Sequence, residues 1–136
     1  AQMWVRRVLV GIDPLAVDVA TLGRAAGLAA DSNLPLQVVC VAATEAARPQ
    51  AAQALAGALV QARAICHLSD GVLRVGPPAQ ELLAAAADAA ADLIVIGRHG
   101  RDSLGRGSIG GLVQQVTGQA TCPVLIHAHD FKDRNP

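Results

Sequence analysis

The sequence contains almost no aromatic residues. Trp4 and Phe131 are the only aromatic rings among its 136 residues, and it has no tyrosine. A core without rings must be filled by Ala, Val, Leu and Ile. That composition suits alanine-rich helices packed closely on a sheet of aliphatic strands.

Charge of one sign and long apolar runs are also missing. The formal net charge is zero, which argues against a general nucleic-acid binder because such proteins need a basic face. The longest apolar stretch, 82–96, contains Asp88 and Asp92 and is too short to span a bilayer. The amino terminus enters a strand directly instead of forming a secretory signal, so we expect a cytoplasmic protein with no membrane partner.

Three cysteines without C-x-x-C spacing argue against a disulfide framework. We expect Cys40, Cys66 and Cys122 to be reduced. A catalytic Cys66 beside His67, or a metal site at His127 and His129, lacks the further residues that such chemistry needs. The sequence therefore predicts no catalytic residue and no metal ligand set.

Strand-like runs alternate with helical periodicity along the whole chain. The predicted strands cover 5–13, 36–42, 71–76, 92–97 and 123–127, and the predicted helices cover about 16–30, 50–64, 79–91 and 111–119. The second helix could start earlier, because 44–47 suits either a loop or a helix. This alternation predicts one three-layer α/β domain over 1–136, in which about four helices cover both faces of a five-stranded parallel sheet. We expect residues 1–2 to be a remnant before the natural start at Met3, and 130–136 to form a polar tail.

A glycine-rich segment, 97–111, connects the predicted fourth strand to the last helix. Its fifteen positions include six glycines and three arginines. Glycines let backbone N–H groups approach an anion, a helix N-terminus attracts negative charge, and arginines donate to phosphate oxygens. In an open parallel sheet, ligands bind at the carboxyl ends of the strands. The segment thus predicts a phosphate site, and the alternative is a soluble surface loop.

The glycine spacing and several other segments resemble the universal stress protein family. Gly97-x-x-Gly100, nine residues and then Gly110 resembles the family's nucleotide motif, G-x2-G-x9-G-[ST]. The segments 8–13, 74–79, 92–101 and 121–126 resemble other family segments in the same order. The resemblance implies a Rossmann-type fold of the adenine-nucleotide α-hydrolase kind and a regulatory role in the stress response.

The resemblance also implies an adenine nucleotide, ATP, ADP or AMP, as the ligand, with Mg²⁺ as a potential companion and slow ATP hydrolysis at most. Asp13 would hold the adenosine end, the main chain at Val41 would meet adenine, and the glycine loop would line the phosphates. The implied nucleotide-binding residues are Asp13, Val41, Gly97, Arg98, His99, Gly100, Arg101, Gly110 and Gly111. From the residues alone, Asp13 could instead be a turn former before Pro14.

Two positions depart from the family pattern. Gly111 replaces the closing Ser or Thr, so a hydroxyl that would bond a phosphate is missing. Pro14-Leu15 replaces a small residue and a serine. These departures favour weakened binding, or a family member that binds no nucleotide and acts as a dimeric protein-interaction module. Signatures of the related nucleotidyl transferases and pyrophosphatases are absent.

The last predicted strand lies at an edge of the sheet, since the chain ends soon after it. Its residues Val124, Leu125 and Ile126 are apolar, and an uncovered apolar edge invites pairing. The resemblance implies a homodimer through this strand, and an additional protein partner stays unidentified.

Overall fold

A computed structural model describes residues 6–97 and 110–127 of the chain. It contains one five-stranded parallel sheet in the order β3-β2-β1-β4-β5. The strands are β1 (Val8–Ile12), β2 (Leu36–Ala42), β3 (Ser69–Val75), β4 (Leu93–Gly97) and β5 (Val124–His127). The predicted α/β class and the parallel five-stranded sheet are confirmed.

Four α-helices connect these strands. They are α1 (Val19–Asp31), α2 (Arg48–Ile65), α3 (Pro78–Ala89) and α4 (Gly110–Gln119), and a single 3-10 turn, Glu45–Ala47, leads into α2. Alanine supplies much of their buried surface, for example Ala25 and Ala29 on α1 and Ala85 on α3. Small side chains let the helices lie close to the sheet, as the lack of aromatic residues predicts.

The sheet separates two apolar clusters. One face packs against α1 and α2 and contains Val10, Val38 and Cys40, whereas the other packs against α3 and α4 and contains Leu9, Val39 and Ile96. Successive residues of a strand point to opposite faces, so strands buried on both sides read as continuous apolar runs. The three layers therefore follow directly from the Val/Leu/Ile runs in the sequence.

Several predicted boundaries are wrong by one to three residues. The first helix begins at Val19 instead of 16 because the Asp18 side chain caps it. The second helix takes the earlier start that the sequence left open, at Arg48, and Pro49 lies in its first turn. The third strand is Ser69–Val75, not 71–76, and the last is Val124–His127, not 123–127.

Asp92 ties β1 to β4 at the amino edge of the sheet. Its Oδ2 accepts hydrogen bonds from the backbone N–H groups of Arg6 at 2.6 Å and Arg7 at 3.0 Å. Its own N–H donates to the Arg7 carbonyl at 3.0 Å. These bonds fix where β1 and β4 enter the sheet.

Strands β3 and β5 form the two edges of the sheet. The predicted edge position of Val124, Leu125 and Ile126 is therefore confirmed. No helix among the described residues has the length and apolar character required to cross a bilayer.

Candidate functional site

A cavity of about 470 Å³ opens at the carboxyl edge of the sheet. It lies over the ends of β1, β2 and β4 and is flanked by the starts of all four helices. The chain runs outward from β1 to β2 on one side and returns to β4 on the other, so strand order reverses between β1 and β4. Ligands of open α/β sheets bind at this kind of reversal.

The chain turns sharply where β1 ends. The Asp13 carboxylate accepts a hydrogen bond from the Leu15 N–H at 2.9 Å, and the Asp13 carbonyl accepts one from the Ala16 N–H at 3.1 Å. Asp13 therefore has the turn-forming role that its position before Pro14 suggests. It also lines the cavity, together with the exposed Leu15 at the mouth.

The start of α1 is closed by its own carboxylate. Asp18 Oδ1 accepts from the Thr21 N–H at 3.1 Å, and Asp18 Oδ2 accepts from the Thr21 hydroxyl at 2.8 Å. A Cβ at Gly97 would lie 3.0 Å from both Asp18 Oδ2 and Thr21 Oγ1, so this glycine lets β4 leave the sheet against the cap. The Asp18 side chain thus accepts from one of the backbone N–H groups that a helix start leaves without an intrahelical partner.

Within the described residues, the start of α4 carries no such carboxylate. The first turn of α4 contains no acidic residue, and it begins with Gly110 and Gly111. Gly111 lies on the cavity wall, and a Cβ built on it would meet nothing within 4 Å. Backbone N–H groups at a helix start favour an anion, and Gly111 itself has no side chain to obstruct the approach.

The other two helix starts differ from that of α4. Glu81 lies in the first turn of α3 and accepts from Arg74 Nε at 2.7 Å. Before α2, Glu45 is paired with Arg48 at 3.0 Å. Among the described residues, α4 is therefore the helix at this edge that has no carboxylate in its first turn or just before it.

The main chain of Val41 faces the end of β1. Just before β2, the Pro35 carbonyl accepts a hydrogen bond from the Val8 N–H of β1 at 3.1 Å. At the end of β2, the Ala42 carbonyl accepts one from the Gly76 N–H, beyond β3, at 2.9 Å. Backbone groups of a strand alternate between its two neighbours, so Val41 is directed to the β1 side. The pairing with β1 ends one residue earlier, at Cys40, and the nearby Pro14 has no N–H to donate.

Cys40 lies under this edge and is fully buried. Burial, with a further contribution from the charge of Asp13, raises the pKa of its thiol to about 11. Burial and Asp92 also raise the pKa of Cys122. High pKa values leave these thiols protonated near neutral pH, as expected for structural cysteines.

The structure brings four sequence-predicted residues together around the cavity: Asp13, Val41, Gly97 and Gly111. Gly110 is adjacent, as the first residue of α4. The predicted residues Arg98, His99, Gly100 and Arg101 lie outside the described residues. Two polar lining residues, Asp18 and Gln50, were not predicted. The spacing of Asp18 to Thr21 at a helix start could have indicated the first.

Within residues 6–97 and 110–127, no cluster of three or more His, Cys, Asp or Glu side chains could hold a metal ion. Among the described lining residues, Asp13 and Asp18 are the only charged ones.

Comparison of the sequence with known proteins finds relatives in one family. A sequence model of the universal stress protein family matches residues 5–127. A curated relative, the universal stress protein in the QAH/OAS sulfhydrylase 3' region of Thermus aquaticus, is 42% identical over 57 residues. That match spans only 42% of this chain and 42% of the relative.

Solved structures match over most of the chain. A universal stress protein in complex with cAMP is 28% identical, with a TM-score of 0.76 over 90% of this chain and 97% of that one. A universal stress protein from Archaeoglobus fulgidus in complex with dAMP is 22% identical, with a TM-score of 0.75 over 91% and 98% of the two chains. At 22% identity, the likeness to the dAMP complex shows only that the two chains share a fold.

Proposed function

The chain belongs to the universal stress protein family, and from this premise we propose that it binds an adenine nucleotide at the carboxyl edge of the sheet. ATP, ADP and AMP are the candidate ligands, and the protein acts as a cytoplasmic regulator of the stress response. The observation that carries the proposal is the cavity of about 470 Å³ at the strand reversal, bordered by the start of α4, whose first turn contains no acidic residue.

The phosphates belong at the α4 end of the cavity. The start of α4 offers N–H groups and a positive dipole end with no carboxylate in its first turn. The capped start of α1 and the acidic first turn of α3 repel an anion instead. The same preference for α4 supports the implied assignment of the phosphates to Gly97, Gly100 and Gly110, of which Gly100 lies outside the described residues.

The base belongs at the β2 end. The backbone of Val41 is directed toward the cavity side of β2, past the last residue that pairs with β1. A free carbonyl there suits the amino group of adenine, and the Val41 side chain gives the ring an apolar floor.

Asp13 suits the sugar between these ends. It follows β1, which lies between β2 and β4 in the sheet. One carboxylate oxygen accepts from the Leu15 N–H, and the other is available to accept from a ribose hydroxyl. Mg²⁺ accompanying a polyphosphate would reduce repulsion between the phosphates and this carboxylate.

We propose regulatory binding with slow turnover at most. Asp18 is held in the α1 cap and Asp13 in the β1 turn, so neither carboxylate is arranged as a general base for water. The cAMP complex of the 28% identical relative supports an adenine nucleotide as the ligand class.

We further propose a homodimer through β5. This strand is an edge strand, and its residue Ile126 has 38% of its surface exposed. Pairing with the same strand of a second copy would cover both apolar edges at once. The alternative function, a dimeric interaction module without nucleotide, is favoured by the missing hydroxyl at Gly111.

One experiment separates these two functions. The chain has one Trp and no Tyr, so a bound adenine would dominate the ultraviolet spectrum of the purified protein. We expect an absorbance peak near 260 nm or, after the ligand is removed, saturable heat on titration with Mg-ATP or AMP. Neither peak nor heat at millimolar nucleotide would overturn the nucleotide proposal and leave the interaction module.

A further inference from the structure

The cavity has polar side chains at two separate places. Among its described lining residues, only Asp13, Asp18 and Gln50 have polar side chains. Both aspartates belong to the connection between β1 and α1. Gln50 belongs to the first turn of α2, the helix that follows β2, whereas α4 follows β4.

The cavity extends across the ends of three neighbouring strands. It is lined by residues of β4 and β2, which are separated by β1, and by residues at the starts of α4 and α2. Two strand spacings amount to about 10 Å, a span that suits an extended nucleotide. A phosphate held at α4 therefore places the base near the start of α2, where Ala43 and Ala47 keep the wall open around Gln50.

The Gln50 side chain is free to meet a ligand. It is exposed, and no hydrogen bond joins its amide to any other described residue. Its helical neighbour Ala51 is fully buried against the core, so the backbone that carries Gln50 is fixed in place. The start of α2 is further fixed by Pro49, whose ring presets a helical φ angle.

Given the nucleotide site proposed above, on which this assignment rests, we infer that the Gln50 amide reads the base edge and sets a preference for adenine over guanine. A glutamine amide offers one acceptor and one donor side by side, which matches the N6 amino group and N7 of adenine. Guanine presents two acceptors, O6 and N7, on the same edge, so one of them meets the amide oxygen. Gln50 is thus a specificity-determining residue.

Calorimetric titration with AMP and with GMP tests this assignment. We expect the wild-type protein to prefer AMP, and Gln50→Ala to reduce the AMP-to-GMP affinity ratio by about ten-fold. Gln50→Lys replaces the paired acceptor and donor with donors alone, which suit O6 and N7 of guanine, so the ratio should fall further. Any general attraction of phosphate by the new charge cancels in the ratio.

Gln53→Ala is the matched control. Gln53 is exposed on the same helix but does not line the cavity, so its removal should leave the ratio unchanged. A wild-type AMP preference that persists in Gln50→Ala and Gln50→Lys would overturn the role of Gln50 while leaving the nucleotide site standing. A wild-type protein that binds neither AMP nor GMP would overturn the site itself.

Discussion

Single residues decide how well the carboxyl edge can hold an anion. Gly111 leaves open space where a hydroxyl would fit, and Gly97 permits the close approach of β4 to the Asp18 cap. The structure places Asp13, Val41, Gly97 and Gly111, which the family resemblance implied, around one cavity, and their role in nucleotide binding stays a prediction. The sequence did not predict Gln50, since the approach of α2 to the end of β2 depends on tertiary packing.

Restoring the missing hydroxyl should strengthen nucleotide binding. The space around Gly111 accommodates a serine, and a hydrogen bond to a charged phosphate contributes about 1.5–3 kcal/mol. We expect Gly111→Ser to raise affinity for Mg-ATP by about one to two decades. Calorimetric titration measures the change.

Gly118→Ser is the control for this substitution, because Gly118 is also unobstructed on α4 but lies at the far end of the helix. It gives a similar gain in helix propensity without a hydroxyl near the phosphates. Equal affinities of the two variants would place the phosphates elsewhere.

The Cys40 thiol should make stability sensitive to alkaline pH. Its pKa is raised from 9.0 to about 11 by burial and Asp13, so the folded state retains the proton that the unfolded state releases. The resulting stability is complete below pH 9.0 and is lost as pH rises toward about 11. Without tyrosine and with Lys132 as its one lysine, the chain has few other groups that titrate there.

Urea unfolding near pH 8 and pH 10.5 measures this loss. We expect the wild-type midpoint to fall between the two conditions and the fall to be smaller in Cys40→Ala. An identical fall in both proteins would show that Cys40 does not ionise on unfolding in this range.

At the scale of elements, apolar runs and helical periodicity indicated every strand and helix, but side chains set their ends. Asp18 starts α1 at Val19 through its cap, which apolar spacing from position 16 does not reveal. Ser69 extends β3 beyond the prediction because its hydroxyl donates to the Cys66 carbonyl at 2.7 Å and so stays buried without orphaned polar atoms. Such hydrogen bonds depend on tertiary position and are hard to recognise in the sequence.

Removing the Asp92 carboxylate should loosen the entry of the two central strands. Asp92→Ala deletes two hydrogen bonds from the Arg6 and Arg7 N–H groups, and bonds to a charged group contribute about 1.5–3 kcal/mol each at most. We expect the free energy of unfolding to fall by about 2 kcal/mol in a denaturant titration.

Asp88→Ala provides a comparison at an exposed aspartate. Asp88 is paired with Arg74 at 3.2 Å, but its side chain is 75% exposed, and exposed pairs contribute about 0–1 kcal/mol. A loss in Asp92→Ala no larger than in Asp88→Ala would contradict the anchoring role of Asp92.

At the scale of the whole molecule, strand order decides where the cavity opens and which strands lie at the edges of the sheet. The alternation of strands and helices predicted a parallel sheet. The observed order β3-β2-β1-β4-β5 places the reversal of strand order between β1 and β4. The sequence alone could not give the size of the cavity, because that depends on how the helix starts converge above the strands.

The position of β5 at an edge of the sheet predicts a dimer at micromolar concentration. A lysine on an edge strand opposes pairing with another strand, so Ile126→Lys should shift the protein toward the monomer. Val60→Lys, at a residue of α2 that is 72% exposed and away from β5, should remain dimeric. Light scattering after size-exclusion chromatography measures both, and a monomeric wild-type protein would contradict the β5 dimer.

The position of the nucleotide is tested most directly by backbone amide chemical shifts of the ¹⁵N-labelled protein during titration with AMP. We expect the largest changes at the carboxyl edge, at Asp13, Val41 and Gly111, and little change at the opposite edge, at Leu34 and Asp92. Saturable shifts confined to the opposite edge, or no saturable shifts at millimolar AMP, would contradict a nucleotide site at the strand reversal.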